Sequence, residues 1–182
     1  MRLFVSVDLG GLGKEIGRLQ APLAELSGLR LTDSADAHVT MKFLGDGDHD
    51  LDALSGAIDA AIDEADVGAF EATFDRVGAF PSTAYIRVVW LGVGRGAEPL
   101  TALHRRLEAE TTALGYDAES HEFTPHVTLA RMEHAAAKAD VQAFLREDPP
   151  EVGPVHIDEL RLKESTLTGD TPTYRTVARF GL

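Results

Sequence analysis

The chain has 182 residues, with 17 Lys and Arg against 30 Asp and Glu, a formal net charge of −13 and no cysteine. This length suits one domain over residues 1–182, built as two halves around a shared core. The missing thiols exclude a disulfide framework, thiolate metal sites and a cysteine nucleophile, and the acidity argues against nonspecific nucleic-acid binding, which relies on Lys and Arg neutralising phosphates.

Arg2 to Asp8 alternates Leu3, Val5 and Val7 with Phe4, Ser6 and Asp8, which predicts a strand. Gly10, Gly11 and Gly13 break it. Leu12, Ile16, Leu19, Leu23 and Leu26 then recur at helical spacing, with Gly28 as a stop. His38 to Leu44 reads as a strand closed by Gly45-Asp46-Gly47. Leu51, Leu54, Ile58 and Ile62 mark a second helix with Asp50 as its N-cap. Phe70 to Val77 is strand-like, and a similar order then repeats. Ala84 to Val93 predicts a strand, and Leu100, Leu103, Leu107 and Leu114 a helix ended by Gly115. His126 to Ala130 predicts another strand. Val141, Phe144 and Leu145 belong to a shorter helix stopped by Pro149-Pro150. Val155 to Lys163 and Tyr174 to Phe180 are the last two strands. Strands alternating with helices in two comparable halves fit an α+β domain whose lobes face each other across a cleft.

One tripeptide occurs twice: His38-Val39-Thr40 and His126-Val127-Thr128. Each copy sits on the strand after the first long helix of its half. Residues i and i+2 of a strand share a face. His38 and Thr40 therefore project together, as do His126 and Thr128, while the valines face the core. Imidazole moves protons near neutral pH, so a pair can supply one base and one protonated acid. A hydroxyl beside each can hold the non-bridging oxygens of a phosphoryl group. The set suits in-line displacement at phosphorus. Two rivals stand beside it. A strand histidine can be a hydrogen-bonded structural residue, and two histidines can join carboxylates around zinc; however, Thr is not a zinc ligand and no third ligand recurs at fixed spacing.

The two blocks, His38-Val39-Thr40-Met41-Lys42-Phe43-Leu44-Gly45 and His126-Val127-Thr128-Leu129-Ala130-Arg131, resemble the paired His-x-Thr-x motifs of the 2H phosphoesterase superfamily. Within it, the chain is similar to the RNA 2′,3′-cyclic phosphodiesterases, historically called 2′-5′ RNA ligases. The opening Arg2-Leu3-Phe4-Val5-Ser6-Val7 resembles that family's first strand. Glu164-Ser165-Thr166-Leu167, with Tyr174 to Leu182, resembles its last hairpin. The resemblance implies a bilobal, pseudo-twofold fold: two antiparallel sheets flank a central cleft, with helices outside. It also implies hydrolysis of a 2′,3′-cyclic phosphate to a 2′-phosphate without metal or cofactor. His38 would be the acid for the departing O3′, His126 the base for water, and Thr40 and Thr128 the phosphoryl ligands. Arg131 would contact phosphate, with Lys42 adding positive charge at the site; Phe43 and Tyr174 are candidates to contact base or ribose, with a place in the core as the alternative for each. Flat alternation points Arg131, five residues after His126, away from the cleft, so it would have to sit beyond the strand end, on a bend. The implied partners are RNA ends or nucleotides carrying a cyclic phosphate. Two alternatives stay open: 2′-5′ end-joining at the same residues, and a non-catalytic binder of RNA ends.

Other signals fail. Asp46-Gly47-Asp48-His49-Asp50 lacks the Gly and Glu positions of a calcium loop. Gly10-Gly11-Leu12-Gly13-Lys14 lacks phosphate-loop spacing. No nucleophile elbow occurs. His104 and His134 lie among charged neighbours and are expected to be solvated. No apolar run approaches the roughly 20 residues that span a bilayer, and the N-terminus lacks a signal-peptide pattern, so a cytoplasmic monomer is expected. Lys14, Lys42, Lys138 and Lys163 are the four lysines. A Lys-poor acidic surface suits a protein working in strong salt, where self-repulsion is screened.

Overall fold

A computed structural model describes residues 1–182. In chain order the elements are β1 (Arg2–Asp8), α1 (Gly13–Ala24), β2 (Leu29–Leu31), β3 (His38–Asp46), α2 (Leu51–Ala65), β4 (Phe70–Pro81) and β5 (Ile86–Val93). There follow α3 (Ala97–Ala113), β6 (His126–Met132), α4 (Lys138–Arg146), β7 (Val152–Ile157), β8 (Glu159–Thr168) and β9 (Thr171–Gly181). The N-cap expected at Asp50 is made: its carboxylate accepts the Ala53 N–H at 3.0 Å.

The strands run antiparallel in the order β7-β4-β5-β6-β3-β1-β8-β9, with β2 beside β6. The two expected sheets are therefore one. Their seam is a single residue pair, Val39 opposite Val127, where β3 meets β6. The seam is short because both strands bulge directly beyond it, and a bulge raises local twist and ends regular pairing.

Each half of the sheet is covered by helices on one face. α1 packs on β6 and β7 and α4 on β4, whereas α3 packs on β3 and α2 on β9. Val89, Leu91 and Val93 of β5 and Val39 and Met41 of β3 point into a core cluster of 35 buried residues. Burying those side chains against helices leaves the opposite sheet face free for polar residues. The strand expected over Val155 to Lys163 is two strands. β7 pairs with β4, and β8 pairs with β1 in the other half. Asp158 is where the chain crosses over, and an unbroken run of strand-forming residues hides that break.

Candidate active site

The seam brings the two motifs together. In antiparallel pairing around Val39 and Val127, His38 falls across from Thr128 and Thr40 across from His126. All four side chains lie on the face away from the helices and are half-buried. The arrangement is a quartet with a local twofold axis through the valine pair.

Each imidazole is oriented in the same way. The Nδ1–H of His38 donates to the Asp36 carbonyl at 2.8 Å, and that of His126 to the Thr124 carbonyl at 2.6 Å. Because a carbonyl only accepts, Nδ1 carries the proton in both rings and each neutral Nε2 keeps its lone pair. Aromatic rings fix the tilt. His38 lies 5.3 Å from Phe4 and 5.3 Å, edge-on, from Tyr174. His126 lies 4.9 Å, edge-on, from Phe80 and 6.1 Å from Trp90.

Both histidines are held below their usual value. Burial is the main cause for each, opposed by the hydrogen bond to the backbone carbonyl. Lys163 further depresses His38, and His38 and Arg131 further depress His126. Beside His38, Asp8 accepts from Lys163 at 3.0 Å, from Arg161 at 2.7 Å and from Ser6 at 2.8 Å. Burial raises Asp8, but those partners outweigh it and keep the carboxyl below its ordinary range.

Two bulges decide what else faces the cleft. Pairing of β1 with β3 jumps from Ser6–Thr40 to Val5–Lys42, and pairing of β5 with β6 from Trp90–Thr128 to Val89–Ala130. Met41 and Leu129 are the extra residues. Each bulge resets the alternation, so Phe43 and Arg131 return to the cleft face. Arg131 was expected beyond the strand end, on a bend; it lies inside β6, and the bulge at Leu129 is what turns it. A bulge also frees a backbone carbonyl. The two carbonyls are satisfied symmetrically: His104 on α3 donates from Nδ1 to Met41 at 2.8 Å, and Gln20 on α1 donates to Leu129 at 2.9 Å.

The bulge at Met41 removes Lys42 from the site, where it was expected to add positive charge. Its side chain is 1% exposed and pairs with Glu108 at 2.5 Å on the helix face of β3. His104 is likewise corrected: it is 8% exposed rather than solvated, because the Met41 carbonyl and the Phe123 ring enclose it. His134 is exposed, as expected. Phe43 is 61% exposed on the cleft face, 6.4 Å from Phe4. Tyr174 packs on Phe4 at 5.6 Å and beneath the Lys163 ammonium at 5.2 Å.

Arg76 was not anticipated. A further bulge, between the Phe74–Val93 and Arg76–Gly92 pairs, turns it to the cleft face. A Cβ built on Gly92, the cross-strand partner of His126, would meet the Arg76 Cγ and Nε at 2.8 Å. Arg76 and Arg131 make no ion pair, as is also true of Arg2, Arg18, Arg87, Arg105 and Arg146, whereas Arg30, Arg95, Arg106, Arg161, Arg175 and Arg179 are matched with carboxylates. No group of three or more His, Asp or Glu side chains is placed to hold a metal ion.

A family model described as the 2′-5′ RNA ligase superfamily matches residues 12–166. The chain belongs to that superfamily. Among its relatives, an RNA 2′,3′-cyclic phosphodiesterase of Aeropyrum pernix is 35% identical over 82% of this chain and 84% of its own. One of Methanothermobacter thermautotrophicus is 31% identical over 100% of this chain and 99% of its own. Escherichia coli LigT, solved with 3′-AMP, superposes at a TM-score of 0.78 with 24% identity, covering 100% of this chain and 97% of that one. TT0787 of Thermus thermophilus superposes at 0.79 with 23% identity, covering 100% and 98%. These two structures share the superfamily's fold. No helix is long and apolar enough to cross a membrane.

Proposed function

We propose that the chain hydrolyses 2′,3′-cyclic phosphates at RNA or nucleotide ends to 2′-phosphates by acid–base catalysis between His38 and His126. The observation that carries this is the twofold quartet at the seam, each imidazole locked through Nδ1 with Nε2 toward the cleft. Relatives named for this activity, one of them alignable over 100% of the chain, support it.

Neutral His126 accepts a proton from water through Nε2, and the hydroxide oxygen attacks phosphorus in line with O3′. The P–O3′ bond breaks, and O3′ takes the Nε2 proton of an imidazolium at His38. Thr40 and Thr128 donate hydrogen bonds from their hydroxyls to the non-bridging oxygens, and Arg131 offsets the added charge. In the free protein, burial depresses both histidines. The negative charge of the bound phosphate favours the imidazolium, so substrate itself arms His38. Phe43 gives the nucleoside an exposed ring to lie against.

The experiment is hydrolysis of a 2′,3′-cyclic nucleotide with the product resolved as 2′- or 3′-phosphate. The 2′-phosphate is expected, and a 3′-phosphate would refute the assignment of the leaving oxygen.

End-joining at the same residues is favoured by one observation. The His126 side, where the nucleophile enters, carries the aromatic pair Phe80 and Trp90, 5.1 Å apart, and the unpaired Arg76. Water needs neither. A 5′-hydroxyl RNA end would use both, its base on Trp90 and a phosphate on Arg76. Arg76→Ala should then lower the joined fraction on a cyclic-phosphate-ended RNA while hydrolysis of a mononucleotide is unchanged. A wild-type protein that never joins would sink this second function and leave the first intact.

A further inference from the structure

Lys42 lies two residues beyond Thr40, yet its contacts lead to the other motif. Its ammonium donates to Glu108 Oε1 at 2.5 Å and to the Asp117 carbonyl at 2.6 Å. The second oxygen of Glu108 accepts the Glu119 N–H at 3.1 Å. Burial raises the Glu108 carboxyl, but Lys42 and Glu119 outweigh it and keep it ionised. Four residues further on, the Phe123 ring lies flat on His104, with centroids 4.0 Å apart and planes 8° apart. His104 is in turn tied to the Met41 carbonyl. Residues 114–125, between α3 and β6, contain no helix or strand. Such a segment takes its shape from whatever holds it. Here Met41 and Lys42 of the first motif block hold its middle, one through His104 and one directly, while the Val93 N–H holds its last residue by donating to the Pro125 carbonyl at 3.1 Å. One residue before its end stands Thr124, whose carbonyl receives the His126 Nδ1–H at 2.6 Å. The corresponding position of the second block is Ala130, which has no polar group to return the contact.

We propose that Lys42 is a positioning residue for His126: by clamping residues 117–119 it holds the Thr124 carbonyl that orients the imidazole. The inference rests on His126 being the base, so its test includes a readout that needs no turnover. The bulge creates the clamp, because without Met41 as an extra residue Lys42 would stand in the cleft. An imidazole freed from Thr124 can rotate and can carry its proton on either nitrogen, so Nε2 no longer meets water in one orientation. Misplacement of about 1 Å is enough to cost on the order of 100-fold.

The test compares wild type with Lys42→Met, which keeps the unbranched stem and removes the charge, and with Phe123→Ala, which loosens the same segment without touching the ion pair. Histidine 15N NMR on the free protein is expected to lose the hydrogen-bonded Nδ1–H signal of His126 in both variants and to retain that of His38. In steady-state assays kcat should fall roughly 10- to 100-fold with KM within about twofold. The Thr124 hydrogen bond raises His126, so the limb that His126 governs should move to lower pH. The charged groups facing His126, namely His38 on β3, Arg131 on β6 and Arg76 on β4, are unaltered in both variants. An unchanged His126 signal would overturn the proposal, as would a raised KM at constant kcat, which marks a substrate contact. A lowered melting temperature with kcat and the pH limb intact would mark a purely structural role and overturn it equally. Absence of wild-type turnover would refute the function, and the NMR comparison would still decide the clamp.

Discussion

Gly78→Ala tests how the cleft face is levelled around His126. Trp90 lies flat across β4 at Gly78: a Cβ there would stand 2.2, 2.5 and 2.7 Å from three atoms of the indole. Ordinary carbon contacts are at about 3.5–4.0 Å, so the ring must move by about 1 Å or more. It is wedged between Phe80 at 5.1 Å and His126 at 6.1 Å, so the displacement reaches the His126 imidazole. Overpacking of this kind costs about 1–3 kcal/mol. For a chain of this length each kcal/mol lowers Tm by roughly 2–4 °C, giving a drop of about 2–12 °C. Gly56→Ala is the control: its Cβ meets nothing within 4 Å, it is exposed, and it sits inside α2. That change should stabilise by about 0.5–1 kcal/mol through helix propensity. The assays are thermal melting and hydrolysis of a 2′,3′-cyclic nucleotide well below Tm, where Gly78→Ala should lose roughly 10-fold or more in kcat. A Gly78→Ala protein as stable as wild type would refute the packing argument. One that is destabilised but fully active would break the link from Trp90 to His126.

Three further outcomes are expected. The profile of kcat/KM against pH should be bell-shaped, with its acidic limb below about 6.5, because burial holds both free histidines under that ordinary value. The kcat profile should sit at higher pH, since bound phosphate favours the imidazolium; coincident profiles would refute that coupling. Thr40→Val and Thr128→Val should each lower kcat by roughly 100-fold with the fold intact, and a loss below threefold in both would remove the hydroxyls from the mechanism. Finally, two of the four lysines, Lys42 and Lys163, are buried in ion pairs, leaving Lys14 and Lys138 on a surface of net charge −13. Melting should therefore rise from low to molar salt, and a flat response would contradict adaptation to a saline medium.

The quartet was legible because strand period alone puts i and i+2 on one face, and a repeated tripeptide marks both strands. β1, β3, α2 and α3 follow from plain periodicity and caps. What stayed hidden depends on single extra residues. Met41, Asp75 and Leu129 each interrupt a two-residue period, which no local pattern announces, and those interruptions place Phe43, Arg76 and Arg131 in the cleft and Lys42 outside it. His104 and Gln20 escaped notice for a related reason. Their partners are the carbonyls of the two bulge residues, Met41 and Leu129, the latter shared with Thr32. The crossover at Asp158 and the one-pair seam are tertiary facts, since both strands of each junction look ordinary by themselves. The acidity reads differently against the cleft. Arg131 and Arg76 bring two cations without ion-pair partners to the cleft face of an otherwise acidic protein, which suits a terminal phosphate better than a long polyanion.

In the proposed mechanism the two seam histidines perform the chemistry as acid and base. Its most direct measurement is turnover of a 2′,3′-cyclic nucleotide by wild type, His38→Ala and His126→Ala, each in EDTA and each verified as folded. The mechanism predicts full wild-type activity in the chelator, a 2′-phosphate product, and loss of hydrolysis in both variants. Activity within threefold of wild type in either variant, or wild-type activity abolished by EDTA, would contradict it.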